Sequence, residues 1–402
     1  MKAKIGIARY IMFGLLYFAQ GSIMGYFGAL NAIYFLSSGL TMTQAGLIGT
    51  IAMVPFVLKI FLGMLSDKVN FFNLGHRKPY IMIGLVIQAG ILAIFSSVNP
   101  AENFRLYAAA AFLLMTGMAL YDTCTDGYAL DITPEDEEGT VQAVMVSGRA
   151  LGTVIIGGLG FIAQALGWNI LFLVMALITL LPLPLVLANM RETIRTPDTS
   201  FNWAAFGAFK EKYVIGLALL GALYSFCIYG AYEIVAPAIS TEFGLDVGPT
   251  SLLISLWGVG VIAGGWIGGK INPKLGVRKS VITAMWLSFA ATTLLALILS
   301  PVAAWIIVPF FGIAFGYYET IFFALSMQFT DSRIAASMFA ILMAIANIGT
   351  GIALGLAGVL VDTTGYRFTF LVLGIVNLLA IPLLGLMRKP DSAQLQEARV
   401  EA

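Results

Sequence analysis

The sequence predicts an all-α polytopic membrane protein: twelve transmembrane helices in two six-helix repeats, with both termini on the cytoplasmic side. Three observations carry that expectation. Hydrophobic residues make up 59% of the 402-residue chain and charged residues only 11%, whereas about a quarter of an ordinary soluble domain is charged. Apolar stretches of about 20 residues, long enough to cross a hydrocarbon core of about 30 Å, recur along the whole chain. Finally, a polar signature returns half a chain later. Gly63-Met64-Leu65-Ser66-Asp67-Lys68 with Gly75-His76-Arg77-Lys78 recurs as Gly265-Trp266-Ile267-Gly268-Gly269-Lys270 with Gly276-Val277-Arg278-Lys279, the mark of an internal duplication.

Taken in order, the spans run 9–36, 44–65, 79–98, 105–131, 140–166 and 168–189, then 213–240, 250–269, 280–299, 302–329, 335–362 and 366–387. Lys2, Lys4 and Arg9 precede the first span as they would a signal peptide. Its apolar region is too long for one and no small-residue cleavage site follows, so it reads as a helix. The fourth span carries Tyr121-Asp122-Thr123, which returns in the tenth as Tyr318-Glu319-Thr320. Gly160 and Gly167-Trp168 of the fifth and sixth return as Gly358 and Gly365-Tyr366. Glycines 148, 152, 157, 158, 160, 351, 355 and 358 let helices approach closely and are read as packing between the halves. The polar stretch after the sixth span divides the chain into a bundle 1–190, a linker 191–212 and a bundle with a short tail 213–402. Within it, Trp203, Phe206 and Phe209 have helical spacing, which suits either a helix lying in the membrane interface or a plain connection.

Of the 22 Lys and Arg, only Arg105 and Arg367 fall on the far side and only Lys59 and Arg149 within spans; the rest lie on the side of the termini. The positive-inside rule makes that side cytoplasmic. Cys124 and Cys227 sit inside spans without metal-ligand spacing and read as buried thiols. Gly258-Val259-Gly260 has no flanking strand, no phosphate loop is present, and His76 lies in a loop. No nucleotide, cofactor, metal or nucleic acid is therefore expected, and no enzyme constellation is found.

Ionisable side chains within spans are costly, at about 2.5–3.5 kcal/mol or more each when unpaired in lipid, and mark functional positions. They are Lys59, Asp122, Asp126, Arg149, Glu233 and Glu319. Asp122 and Arg149 both lie about 15 Å above the cytoplasmic end of their helices at 1.5 Å per residue, so an ion pair between them is expected. Asp126, one turn from Asp122, and Lys59 complete a four-charge cluster. Two readings stand: the cluster holds three helices together, or one carboxylate exchanges a proton during transport. In the second half Asn347 fills the position of Arg149, which leaves Glu319 with no evident basic partner and makes it a candidate proton carrier; Glu233 is a second. Tyr17, Tyr121, Tyr229, Tyr232, Tyr317 and Tyr318, with Gln20 and Asn347, are the candidate cavity lining, suited to a partly apolar solute with hydrogen-bonding groups. Tyr34 and Tyr366 read as interface-belt residues.

Twelve spans in two repeats, with Gly63-x-x-x-Asp67 and Gly75-x-Arg77-Lys78 between the second and third, resemble the major facilitator superfamily. Lys59 eight residues before Asp67, the run Asp122-x-x-x-Asp126-x-Tyr128-x-x-Asp131-x-x-Pro134, and Gly148-Arg149-x-x-Gly152 resemble its branch of anhydromuropeptide, folate-biopterin and acetyl-CoA carriers. The resemblance implies a secondary active transporter of a small organic solute in the cytoplasmic membrane, monomeric, working by alternating access and coupled to protons in the direction of uptake. A lipid or drug exporter of the same fold and a transport-inactive sensor or assembly factor are the alternatives. It also implies a cytoplasmic gate formed by Gly63, Asp67, Gly75, Arg77, Lys78 and Arg333, with Asp67 against the start of the eleventh helix, where the helix dipole favours a carboxylate.

Overall fold

The structure is a computed structural model, and it describes residues 4–71, 74–134, 137–190, 203–329 and 335–387. Twelve membrane-spanning helices run in sequence. The first six are α1 (Ile7–Ser37), α2 (Met42–Lys68), α3 (Lys78–Phe95), α4 (Phe104–Ile132), α5 (Ala143–Leu166) and α6 (Trp168–Asn189). The second six are α7 (Lys212–Phe243), α8 (Val247–Ile271), α9 (Lys274–Ala296), α10 (Pro301–Ser326), α11 (Ser337–Thr364) and α12 (Tyr366–Leu386). Between the halves, Trp203–Lys210 forms a 3-10 helix on which Trp203 and Phe206 stack and remain exposed. The helices end within a few residues of the predicted spans, because apolar length sets where a chain enters and leaves lipid.

The repeated glycines have a backbone reason. Gly75 takes a φ of 109° at the turn into α3 and Gly276 one of 70° at a kink near the start of α9, and Gly167 and Gly365 take 89° and 84° at the turns into α6 and α12. Only glycine adopts such angles without strain, so each copy of the repeat keeps them. Interruptions within helices also follow from sequence. Pro55 removes a donor from α2, and helical geometry lapses three residues later at Leu58 before resuming at Lys59. In α1 a π-turn spans Tyr26–Leu30; such bulges recur at functional sites.

The halves meet along the outer ends of their helices. A side chain at Gly28 of α1 would strike the ring of Tyr232 on α7, one at Gly358 of α11 would strike the Met42 carbonyl of α2, and one at Gly160 of α5 would strike Ser251 of α8. Polar bonds join the same ends. Thr50 Oγ1 donates to the Gly351 carbonyl at 2.7 Å, and the Gly157 amide donates to Ser255 Oγ at 2.8 Å. The backbone amides of Met42 and Thr43 donate to the Asp362 carboxylate at 3.1 and 2.7 Å, where the positive end of α2 favours it. Near the middle of the membrane Asn347 Nδ2 donates to the Phe56 carbonyl at 3.4 Å, and below it Ile60 packs on Met338 and Ile341. These contacts close the molecule on its outer side.

Two expectations change here. Gly148 and Gly152 pack against the Gly14 and Phe18 carbonyls of α1, within the first half, so only the outer glycines of α5 serve the contact between halves. Tyr34 is not an interface-belt residue: it is 7% exposed, inside an aromatic cluster with Tyr107, Trp168 and Phe172.

Candidate substrate and coupling site

Lys59, Asp122, Arg149 and Glu319 lie nine to eleven residues from the cytoplasmic ends of the α-helical stretches Lys59–Lys68, Phe104–Ile132, Glu138–Val154 and Pro301–Phe329, and so form one layer near mid-membrane. Asp122 is buried in α4. Its Oδ1 accepts from Gln20 Nε2 at 2.7 Å and its Oδ2 from Lys59 Nζ at 3.4 Å. Asp126, one turn nearer the cytoplasm and half-buried, accepts from the Tyr17 hydroxyl. Helices α1, α2 and α4 are thus tied through two carboxylates and one lysine.

Arg149 departs from the expected pairing. It forms no direct ion pair with Asp122, nor with Glu319 of the other half; instead its charge lies between the carboxylates of the two halves, near enough to Glu319 and Asp122 to interact with both through the cavity. Depth along a helix puts Asp122 and Arg149 at one level but does not set rotation. The close contact of Gly148 and Gly152 with α1 sets the rotation of α5. Glu319 therefore has a basic neighbour after all, contributed by the opposite half, and it also accepts from the Tyr229 hydroxyl at 3.3 Å. Lys59, Asp126, Arg149, Tyr17, Tyr229, Glu319 and Asn347 are all half-buried, as befits the wall of a cavity.

Glu233 stands apart from this layer. It is 4% exposed, its Oε1 has no hydrogen-bond partner among the described residues, and it lies near Tyr26 beside the outer contact of α1 with α7. Four predicted cavity tyrosines are also placed elsewhere. Tyr121 packs on α3 at Gly84, and Tyr318 against Tyr224, both inside their own halves. The Tyr317 hydroxyl meets Thr283 of α9 at 3.0 Å, and Tyr232 stacks on Trp257 at 3.9 Å in the outer closure. The reason is helical rotation: a side chain at the right depth reaches the cavity only from the one face of its helix that is turned there. Tyr17, Gln20, Tyr229 and Asn347 remain with the charges.

In the gate motif, Arg77 is 4% exposed and holds three groups. Its guanidinium meets Asp67 at 2.8 Å and Asp131 at 3.6 Å, and donates to Ser66 Oγ at 2.6 Å. Lys78 Nζ donates to the Leu187 carbonyl of α6 at 2.8 Å, and Gly63 allows α2 to approach Thr123 of α4. The described partner of Asp67 is thus Arg77, within its own half. Arg333 lies outside the described residues. Sequence reasoning missed Trp257, Ser255, Thr50 and Asp362, which complete the outer closure. The only signal was a lone carboxylate, Asp362, at the outer end of an apolar span.

Comparison with known proteins agrees with this architecture. A sialic acid transporter of Escherichia coli K12, NanX, is 26% identical over 62% of this chain, the match spanning 61% of NanX, less than two thirds of its length. The anhydromuropeptide permease of the same organism is 23% identical over 79% of this chain and 67% of that protein. A Rickettsia typhi protein named putative transporter AmpG 2 is 22% identical over 90% of both. Among solved structures, the nucleoside transporter NupG superposes with a TM-score of 0.75 at 14% identity over 94% of this chain and 99% of NupG. A bacterial homologue of the lysosomal transporter Spinster, in an inward-facing conformation, gives 0.71 at 16% identity over 96% and 98%. A family model of the Major Facilitator Superfamily matches residues 9–339 and 218–401, and the chain, a multi-pass membrane transporter of small solutes, is a member of that superfamily.

Proposed function

We propose that the protein is a proton-coupled uptake carrier of the cytoplasmic membrane that moves a small amphipathic organic solute by alternating access. Residues 1–190 and 213–402 act as the two rocking halves, joined by 191–212. The observation that carries this reading is the layer of charges divided between the halves: Lys59, Asp122, Asp126 and Arg149 on one side and Glu319 on the other. Arg149 interacts with carboxylates of both halves, so protonating Glu319 or Asp126 changes how strongly the halves hold together across the cavity. A proton and a solute competing for the same arginine is a simple way to couple the two, since each shifts the equilibrium by its differential affinity for the two states. Tyr17, Gln20, Tyr229 and Asn347 supply hydrogen bonds and apolar ring faces for the solute. Two of the relatives are named for sialic acid and for anhydromuropeptides, and an acidic solute suits Arg149 and Lys59. The monomer contains the whole layer.

The test is uptake by the purified protein in proteoliposomes with an imposed pH gradient, inside alkaline, over sialic acids, anhydromuropeptides, folates and nucleosides. Accumulation that collapses with a protonophore is expected for one class. Flux that is unaffected by the pH gradient, or that occurs only outward, removes proton-linked uptake.

A further inference from the structure

The two copies of the gate motif have diverged in a way that leaves a cleft on the second half. In the first copy Arg77 is buried and held by Asp67, Asp131 and Ser66, and Lys78 closes the gap between α3 and α6 by binding the Leu187 carbonyl. In the second copy Gly269 stands where Asp67 stands in the first. Its arginine, Arg278, is exposed and makes no hydrogen bond or ion pair among the described residues. Instead it lines a cleft of about 560 Å³ between the cytoplasmic ends of α9, α10 and α12.

We propose that this cleft binds an anionic glycerophospholipid, with the headgroup phosphate on Arg278 and an acyl chain between the helices. Apart from Arg278 the lining is apolar, with Ile282, Met285, Phe329 and Leu384 forming the walls. Trp286 and Ile381 line its mouth at 50% and 49% exposed, so it opens outward to the surrounding hydrocarbon and not into the solute cavity. The volume falls within the roughly 300–1,000 Å³ of small-molecule sites. Gly385 lies on the wall with no atom within 4 Å of where a side chain would begin, so the cleft extends over α12. Charge selects the occupant. Lys274 and Lys279 are exposed on the same end as Arg278, and the cytoplasmic leaflet is the one enriched in anionic lipid. Arg favours phosphate through its forked donors, and Trp286, about half-way along α9, stands beside the path of an acyl chain.

Native mass spectrometry of the full chain, equilibrated with phosphatidylglycerol or phosphatidylethanolamine, tests this directly. Phosphatidylglycerol should be retained preferentially. Arg278→Gln, at an exposed position that leaves the fold intact, should lower that retention about five-fold, the effect of one basic residue at a lipid surface. Arg105→Gln on the opposite face should leave it unchanged. Gly385→Trp should block both lipids. Brominated phosphatidylglycerol should quench tryptophan emission in the native protein, and the quenching should fall in Trp286→Phe. Equal retention of the two lipids, no change in Arg278→Gln, or quenching indifferent to Trp286→Phe would overturn the assignment.

Discussion

Replacing Lys59 by methionine isolates the charge that holds Asp122, because methionine keeps the apolar stem and removes only the ammonium. The pair is 3.4 Å apart, with side-chain exposures of 23% for Lys59 and 5% for Asp122. Coulomb attraction at that distance and an effective dielectric of about 20 is at most about 5 kcal/mol. Desolvation of both ions offsets much of it, but that cost remains for Asp122 when its partner is gone. Asp122 then keeps only the Gln20 amide at 2.7 Å. Breaking a buried pair from one side costs about 3–5 kcal/mol; the partial exposure of Lys59 puts Lys59→Met near 3 kcal/mol. Asp122→Asn should cost less, since it removes the buried charge. The double variant should be more stable than Lys59→Met alone, with a coupling of about 2 kcal/mol. Thermal unfolding of the four proteins in one detergent gives the ranking, and initial rates of solute exchange show whether the layer survives. Strict additivity, or a Lys59→Met protein as stable as the native one, would refute the reasoning and demote the 3.4 Å contact to a solvated encounter.

Four further outcomes follow from the same geometry. Glu319→Gln keeps an oxygen for the Tyr229 hydroxyl, so counterflow should persist while pH-driven accumulation is lost; retained accumulation would move the proton site to Asp122, Asp126 or Glu233. Gly358→Leu collides with the Met42 carbonyl and should hold the outer side open, raising thiol labelling of a Leu354→Cys protein from outside; unchanged labelling would contradict the closure described above. Arg77→Ala should destabilise the protein by about 3–5 kcal/mol by removing the guanidinium that Asp67, Asp131 and Ser66 share, with Arg77→Lys intermediate because it lacks the fork. Asp67→Asn should alter the balance of inward-facing and outward-facing labelling, and an unaltered balance would remove the motif from gating.

What the sequence determined by itself is what depends on one dimension. Apolar length placed the twelve crossings, the distribution of Lys and Arg oriented them, and a signature repeated at half the chain revealed the duplication. The repeated glycines were legible because positive φ is a property of a single residue. The list of ionisable residues inside spans was legible too, since charge in lipid is conspicuous wherever it points. Rotation was not legible. Asp122 and Arg149 share a depth, yet the packing of Gly148 and Gly152 on α1 sets a rotation of α5 in which they form no ion pair, while Lys59, set by the lapse after Pro55, takes Asp122. The same limit separates Tyr229, in the cavity, from Tyr232 in the outer closure, and Tyr17 from Tyr121. A helix in a membrane is hydrophobic nearly all round, so no stripe of polarity announces which face meets which neighbour. Close backbone approach at small residues decides that, and only the packed structure contains it.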